Sequence, residues 1–446
     1  MYIYFVSLGC DKNLVDSEKM LALLNHAGYT LTDDPEQAEI IVVNTCAFIH
    51  DAKQESIETL LELADFKENG NCKVLIATGC LAERYKDDIL AEMPELDGIV
   101  GTTAYDSIVE VVEQTLQGQQ AVSTKELSYL PSQLTDRVRS GLSHVGYLKI
   151  SEGCNKNCSY CIIPSMRGRY RSVPMEELVE EAVKLTTSGV KELILVAQET
   201  TLYGVDLYGE KRLPQLIERL SQIQAIEWIR VLYCYPEEIT EELAVVLRDN
   251  KKVCKYLDLP IQHCNDNVLK KMGRRTNKQQ LMEKIAMLRR EVPDIALRTT
   301  LISGFPGETE EAHEECIEFV KEIKFDRLGV FPYSSEEGTR AAAYENQVDD
   351  EIKNKWADEL MQVQQQVIFD QNDTMVGREF TAIVDGYLPE DDVYVARTYR
   401  DTPDIDGCIF FQASFEIMSG TMVRLMVTDA KGYDLVGELC QEDEEE

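Results

Sequence analysis

Two sets of three cysteines carry the chemistry that can be read from this chain. Cys154, Cys158 and Cys161 form a tight C-x3-C-x2-C run within EGCNKNCSYCIIPSMRGRYRS. Cys10, Cys46 and Cys80 lie far apart, in LGCDKN, NTCAF and TGCLAE. Thiolates are soft ligands that suit zinc or iron–sulfur clusters. Structural zinc sites use four protein ligands, often as two C-x2-C pairs, and no matching second pair lies near the tight run. Iron–sulfur ligation is the better reading: three thiolates leave one iron of a four-iron cluster open. A chain that does this twice is built around two reactive clusters. Taken alone, the separated cysteines could also be buried by chance. Cys72, Cys234, Cys254, Cys264, Cys316, Cys408 and Cys440 show no comparable grouping and read as ordinary thiols.

The elements that must position these thiols alternate between strand and helix. MYIYFVSLGC, AEIIVVNTC and CKVLIATGC are apolar runs ending in the separated cysteines, with helical stretches expected at 17–27, 52–66 and 81–93. Such alternation indicates a parallel α/β sheet. Active residues of such sheets lie beyond the carboxyl ends of the strands, so Cys10, Cys46 and Cys80 can converge at one edge. Residues 120–140 are polar, include Pro131, and read as a connector. A second repeat follows, with strands expected at 147–150, 193–197, 228–233, 256–259, 296–302 and 327–331 and helices at 175–188, 213–223, 278–290 and 309–323. Six strand–helix units predict a (β/α)6 partial TIM barrel that does not close, with its chemistry at the carboxyl ends. The tight triad lies just after the first of these strands. A polar helix from 350 to about 369 ends this unit. The short strands GREFTAIVDGY, DVYVARTY, CIFFQAS, TMVRLMVTDA and YDLVGEL predict a small five-stranded β-barrel of OB-like type. The chain is therefore α/β, divided as 1–125, a connector at 126–140, 141–371, 372–441 and a disordered acidic tail at 442–446.

Composition narrows the partners. Asp and Glu outnumber Lys and Arg by 80 to 45, a formal charge of -35, so the average field repels polyanions and favours a basic partner. Acidity that merely keeps the chain soluble is the plainer reading. No apolar stretch is long enough to span a bilayer. The odd count of 13 cysteines in a long chain without an export signal points to a reducing cytoplasm.

The C-x3-C-x2-C run, with Tyr160 before its last cysteine, resembles the radical S-adenosylmethionine superfamily. That resemblance implies that the open iron is chelated by the amino and carboxylate groups of S-adenosylmethionine, whose reductive cleavage gives a 5'-deoxyadenosyl radical. Cofactor-binding candidates are then Tyr160, Gln198 and Glu199 after the second barrel strand, Gln262 and His263 after the fourth, and Gly304 in SGFPGET. Glu199 could hold the cofactor's amino group or simply cap a loop. Gln262 and His263 could line the cleft or be structural, and SGFPGET could be a plain turn. Arg167, Gly168 and Arg169 could orient a carboxylate substrate or bind the connector.

With the separated triad added, the whole chain resembles the methylthiotransferase family. Its members join an N-terminal three-cysteine domain, a radical-SAM partial barrel and a small TRAM domain. GCDKNLVDSE, NTC, GCLAERY and the tight triad are all in place. The resemblance implies two 4Fe-4S clusters, on Cys10, Cys46, Cys80 and on Cys154, Cys158, Cys161, as the catalytic and metal-binding residues. YLKISEGCNKNCSYCIIPSMRG, AQETTLYG, YLDLPIQHCNDNVLKKMGR and FDRLGVFPYSSEEGT resemble the branch that converts the β-carbon of an aspartate in the twelfth small-subunit ribosomal protein to 3-methylthioaspartate. Glu199, where that branch often has Asp, and RSVP at 171–174 depart from it without touching a cluster ligand. The implied partners are that ribosomal protein, free or on the ribosome, a sulfur donor, and a low-potential electron donor such as flavodoxin or ferredoxin. Residues 371–446 hold five Lys or Arg against eighteen Asp or Glu, which suits a basic protein better than a nucleic acid. The alternatives are a tRNA methylthiotransferase acting on a hypermodified adenosine near the anticodon, and a noncatalytic iron–sulfur assembly protein.

Overall fold

The computed structural model describes residues 1–440. The tail expected at 442–446 lies outside the described residues. Among the described residues no helix is long and apolar enough to cross a membrane.

The first sheet contains β1 (Tyr2–Ser7), β2 (Thr30–Leu31), β3 (Ile40–Thr45), β4 (Val74–Gly79), β5 (Gly98–Val100) and β6 (Ala121–Ser123). They pair in the order β2-β1-β3-β4-β5-β6, all parallel. Every residue of β3 and β4 is buried, as expected of parallel strands covered on both faces. Three of the strands escaped the sequence reading because they are only two or three residues long, too short for a pattern. One of them, β6, falls at the start of the polar stretch 120–140, inside the unit bounded at 125. The helix after β1 also differs from expectation. It spans Asp11–His26 and begins directly at Cys10. Its buried face includes Lys12, Asn13, Asp16, Ser17, Glu18 and Lys19, so its first turns carry no apolar period.

The second sheet contains β7 (Val145–Lys149), β10 (Glu192–Val196), β11 (Trp228–Val231), β12 (Val253–Asp258), β13 (Ala296–Ser303) and β14 (Arg327–Pro332). Between β7 and β10 a short antiparallel ribbon joins β8 (Ser151–Glu152) to β9 (Arg171–Ser172). The order β14-β13-β12-β11-β10-β7 is parallel throughout, with no pairing from β14 back to β7, so the six strands form the expected open barrel. Alternation along β10 assigns its two faces. Leu193 and Leu195 pack with the surrounding helices through Leu216, Leu243, Leu281 and Phe319. Ile194 and Val196 point the other way, with Trp228, Tyr256 and Ala296.

That inner face is met by the last unit, a closed barrel of β15 (Glu379–Leu388), β16 (Val393–Thr398), β17 (Ile409–Gln412), β18 (Met422–Lys431) and β19 (Asp434–Leu439), reached through the helix Asp350–Asp373. Ile383, Tyr399 and Met422 join the inner-face cluster. Around them run buried charge contacts. Arg397 lies 2.8 Å from Glu192, Arg230 donates to Glu192 at 2.8 Å and to the Tyr399 carbonyl at 2.8 Å, and Arg400 pairs with Asp326 at 2.9 Å. The small barrel is thus packed into the open one.

Candidate functional site

Cys10, Cys46 and Cys80 follow β1, β3 and β4, which are neighbours in the first sheet, so strand order alone delivers them to one edge. Glycines in two of the three loops let them close. Gly9 has φ +87°, and a Cβ there would lie 2.8 Å from the Cβ of Cys46. Gly79 has φ +89°, and its Cβ would lie 2.2 Å from Asn44 Oδ1. Only glycine holds such a conformation without strain. Asn13 ties the loops together, its Nδ2 donating to the carbonyls of Leu8 at 3.1 Å and Thr45 at 3.0 Å while its Oδ1 lies 3.8 Å from Cys80 Sγ. Burial, reinforced by Cys80 and Cys10, pushes the Cys46 thiol up to about 12. Burial also raises Cys80, against the pull of the Arg167 guanidinium, whose Nη2 is 3.5 Å from the sulfur.

Cys154, Cys158 and Cys161 lie just after β8. Gly153, with φ +78°, lets the backbone pass where a Cβ would come within 2.3 Å of the Arg169 carbonyl. The Lys156 amide donates to Cys154 Sγ at 3.4 Å, and Cys158 Sγ lies 3.5 Å from the Tyr235 hydroxyl. Burial raises Cys154 to about 11 and Cys161 to about 12. Thiols held protonated in this way bind metal only with release of their protons.

Of the remaining predicted residues, Glu199, Gln198 and Tyr160 adjoin this triad's segment, whereas Gln262, His263 and Gly304 make their contacts away from it. Glu199 is fully buried; Thr201 occupies its Oε1, whereas Oε2 has no hydrogen-bond partner and lies 3.9 Å from Lys156 Nζ. Burial raises this carboxyl to about 7. Gln198 donates to Glu152 at 2.7 Å and accepts from the Gly153 amide at 2.8 Å. Tyr160 stands edge-on to Phe305 with ring centroids 6.4 Å apart. Gln262 has φ +72° and its amide donates to the Thr300 carbonyl at 2.8 Å. His263 has both ring nitrogens engaged: Nδ1 accepts from the Asn265 amide at 2.9 Å and Nε2 faces Glu308 at 3.2 Å. Gly304, at φ +67°, permits close approach to Lys353, whose Cγ would be 2.1 Å from an added Cβ. Gly168 similarly admits the Leu127 carbonyl, 2.4 Å from an added Cβ. Cys264 and Cys316, read as ordinary thiols, have sulfurs 3.2 Å apart beside His263. Those three residues form the single grouping, among the described residues, whose ligand atoms all lie within 4.8 Å of one another. Neither cysteine triad is gathered as tightly around one point. All-thiol sets spread in this way fit a multi-iron core, and the bare carboxylate oxygen of Glu199 fits an ammonium group.

One short stretch of chain touches the segments that carry both triads. At the end of β11, the Tyr233 hydroxyl donates to Asp11 at 2.9 Å, beside Cys10, while the Tyr235 hydroxyl touches Cys158 at 3.5 Å. Beneath them runs a buried charge network. Arg167 reaches Cys80, Asp16 at 2.8 Å and Glu152 at 3.2 Å, and Lys149 pairs with Asp16 and, at 2.8 Å, with Glu152. Burial alone would raise Glu152, yet Lys149 and Arg167 bring it down to about 2. Arg167 is therefore spent on this network. Sequence reasoning missed Asn13, Asp16, Lys149, Glu152, Tyr233 and Tyr235. The available signals were Lys149 inside an apolar strand and the run of charges directly after Cys10.

Comparison with known proteins agrees with this architecture. Residues 2–101 match uncharacterized protein family UPF0004, 148–320 the radical SAM superfamily and 376–440 the TRAM domain. The chain is 56% identical over 437 residues to the ribosomal protein uS12 methylthiotransferase RimO of Lachnoclostridium phytofermentans, covering 98% of this chain and 99% of that one. It is 46% identical to the protein of the same description from Clostridioides difficile, covering 98% of each. Among solved structures, the radical S-adenosylmethionine methyltransferase TsrM of Kitasatospora setae aligns with TM-score 0.57 at 13% identity, over 76% of this chain and 73% of that one, a likeness of fold alone. Whole-length identity of this order places the chain in the ribosomal protein uS12 methylthiotransferase family.

Proposed function

We propose that this protein is a radical S-adenosylmethionine methylthiotransferase that places a methylthio group on the β-carbon of an aspartate in ribosomal protein uS12. The observation that supports the reading is that one short stretch of chain reaches both triad-bearing segments, Tyr233 bonding Asp11 beside Cys10 and Tyr235 touching Cys158. Cys154, Cys158 and Cys161 would hold one 4Fe-4S cluster and Cys10, Cys46 and Cys80 the other. Bound there, the clusters and S-adenosylmethionine supply radical abstraction of hydrogen and delivery of sulfur to an unactivated carbon, chemistry beyond side-chain acids and bases.

The chain's own residues bind and orient. The free Oε2 of Glu199 would take the cofactor's ammonium group, and Lys156, 3.9 Å away, balances the carboxylate until then. Gln198 fixes the backbone at Gly153, directly before the first ligand of the central triad. Arg167 places a positive charge against Cys80 and so favours the thiolate required for metal binding. We take Tyr160, Gln262, His263 and Gly304 as supports of this pocket. A sulfur donor and a low-potential electron donor of the flavodoxin or ferredoxin kind complete the reaction.

Charge favours a basic protein as substrate over RNA. In 371–440, each cation has a carboxylate partner: Arg378 with Asp294, Arg397 with Asp385, Arg400 with Asp326, Arg424 with Glu379 and Lys431 with Asp429. Exposed carboxylates at Glu390, Asp391 and Asp392 remain. The test is mass spectrometry of uS12 after incubation with reconstituted, reduced protein, S-adenosylmethionine and sulfide. A methylthio gain on one aspartate, lost with Cys158→Ala and with Cys46→Ala, is expected. A gain on tRNA with uS12 untouched would overturn the assignment.

A further inference from the structure

Four lysines of the described chain are buried: Lys12, Lys19, Lys149 and Lys353. Three have a carboxylate at their ammonium: Lys19 has Glu181 at 3.4 Å, Lys149 has Asp16 and Glu152, and Lys353 has Asp350 at 2.7 Å. Lys12 is 5% exposed and has none within salt-bridge distance. Its ammonium instead sits 3.2 Å from the centroid of the Tyr233 ring. A buried cation without an anion is costly, and a cation–π contact offsets only part of that cost.

Two carboxylates lie nearby, and Asp258 feels the charge of Lys12, but neither closes to a salt bridge with it. Asp11, one residue away, takes the Tyr233 hydroxyl at 2.9 Å, and Asp258 takes the Tyr233 amide at 3.1 Å. Both nearby carboxylates are thus tied to Tyr233, which turns its ring to Lys12. Tyr233 holds φ +60°, an uncommon conformation for a bulky residue, and strain of this kind collects at binding sites. Lys12 lies two residues after Cys10, and the ring its ammonium covers belongs to Tyr233, two residues before the Tyr235 that touches Cys158.

We propose that Lys12 binds the side-chain carboxylate of the substrate aspartate. This rests on the substrate reading above and deepens it by naming the group that recognises the residue to be modified. The β-carbon is bonded directly to that carboxylate, so an ammonium in the first turn of the helix that starts at Cys10 would hold the reacting carbon close to that segment. A neutral asparagine in the same place offers no charge to pair with Lys12, and the site discriminates against it.

Equilibrium binding of purified uS12, and of uS12 with the target aspartate replaced by asparagine, tests this with the full-length reconstituted protein. The unsubstituted protein is expected to prefer the aspartate form by roughly ten- to one-hundredfold, the worth of one charge-assisted hydrogen bond. Lys12→Gln should remove the preference and Lys12→Arg should restore part of it. The substrate-side substitution leaves the unsubstituted enzyme untouched, and the Lys12→Gln result counts in a variant of unchanged circular dichroism that still binds both forms of uS12. Equal affinity for the two forms of uS12, or a preference that survives Lys12→Gln, overturns the role of Lys12. If uS12 neither binds nor gains a methylthio group, the substrate reading itself fails and the inference falls with it.

Discussion

Replacing Arg167 with Gln should loosen the seam between the first sheet and the open barrel. Its guanidinium is buried and serves Asp16 at 2.8 Å, Glu152 at 3.2 Å and Cys80 at 3.5 Å. Removing one member of a buried ionic set costs about 3–5 kcal/mol, because the opposite charge remains buried. Lys149 still contacts both carboxylates, so the lower end, about 3 kcal/mol, applies. Helix Asp11–His26 carries Asp16 into the seam, so its amides should exchange with solvent on the order of a hundredfold faster at neutral pH. The pH dependence follows from Glu152, held at about 2 against an ordinary 4.5. A depressed carboxyl contributes stability that is complete above its unfolded value and lost as pH falls toward the folded one. The gap between Arg167→Gln and the parent should therefore be full above about pH 4.5 and narrow toward about pH 2. Exchange within threefold of the parent at neutral pH, in a variant of unchanged circular dichroism, would refute the reasoning.

Glu199 is raised to about 7, so its ionised fraction grows about tenfold between pH 6 and pH 8. Affinity for S-adenosylmethionine, measured by calorimetry, should rise by that factor, and Glu199→Gln should flatten the profile. By the same linkage a raised carboxyl withdraws stability as pH climbs from 4.5 to about 7, which thermal unfolding across that window would register. Gly79→Ala forces a Cβ to within 2.2 Å of Asn44 Oδ1 at φ +89°. It should cost about 1–3 kcal/mol and lower iron content toward that of one cluster, read by iron analysis against protein. Arg397→Leu removes a partner of Glu192 and Asp385. Limited proteolysis should then cut at 374–378, between the long helix and the small barrel, well before the parent is cleaved.

What the sequence disclosed, and what it hid, follows from where the apolar residues are. Strands such as β3 and β4 are covered on both faces, so they read as continuous apolar runs and put Cys46 and Cys80 at their ends. The small barrel was equally legible, because Gly, Pro and Asp punctuate its alternating strands. The first turns of the helix at Asp11–His26 were not. Their buried face is made of Lys12, Asn13, Asp16 and Glu18, whose burial depends on partners such as Lys149 and Arg167 far along the chain. Periodicity cannot report an ionic interface. The roles of Tyr233 and Tyr235 were hidden for a related reason, since each depends on a contact with a different cysteine-bearing segment.

The stretch Tyr233–Tyr235 also acts as a gauge. Its two ends touch the two triad-bearing segments, at Asp11 and at Cys158, and two residues of chain span at most about 7 Å. The segments that carry Cys10 and Cys158 are thereby both referenced to one short length of backbone and not to the elasticity of three folded units. A rigid-body drift that widened the gap would have to break the bond from Tyr233 to Asp11 or the contact from Tyr235 to Cys158. Manufacturing tolerance, in a molecule assembled from separate sheets, is set here by a single tripeptide.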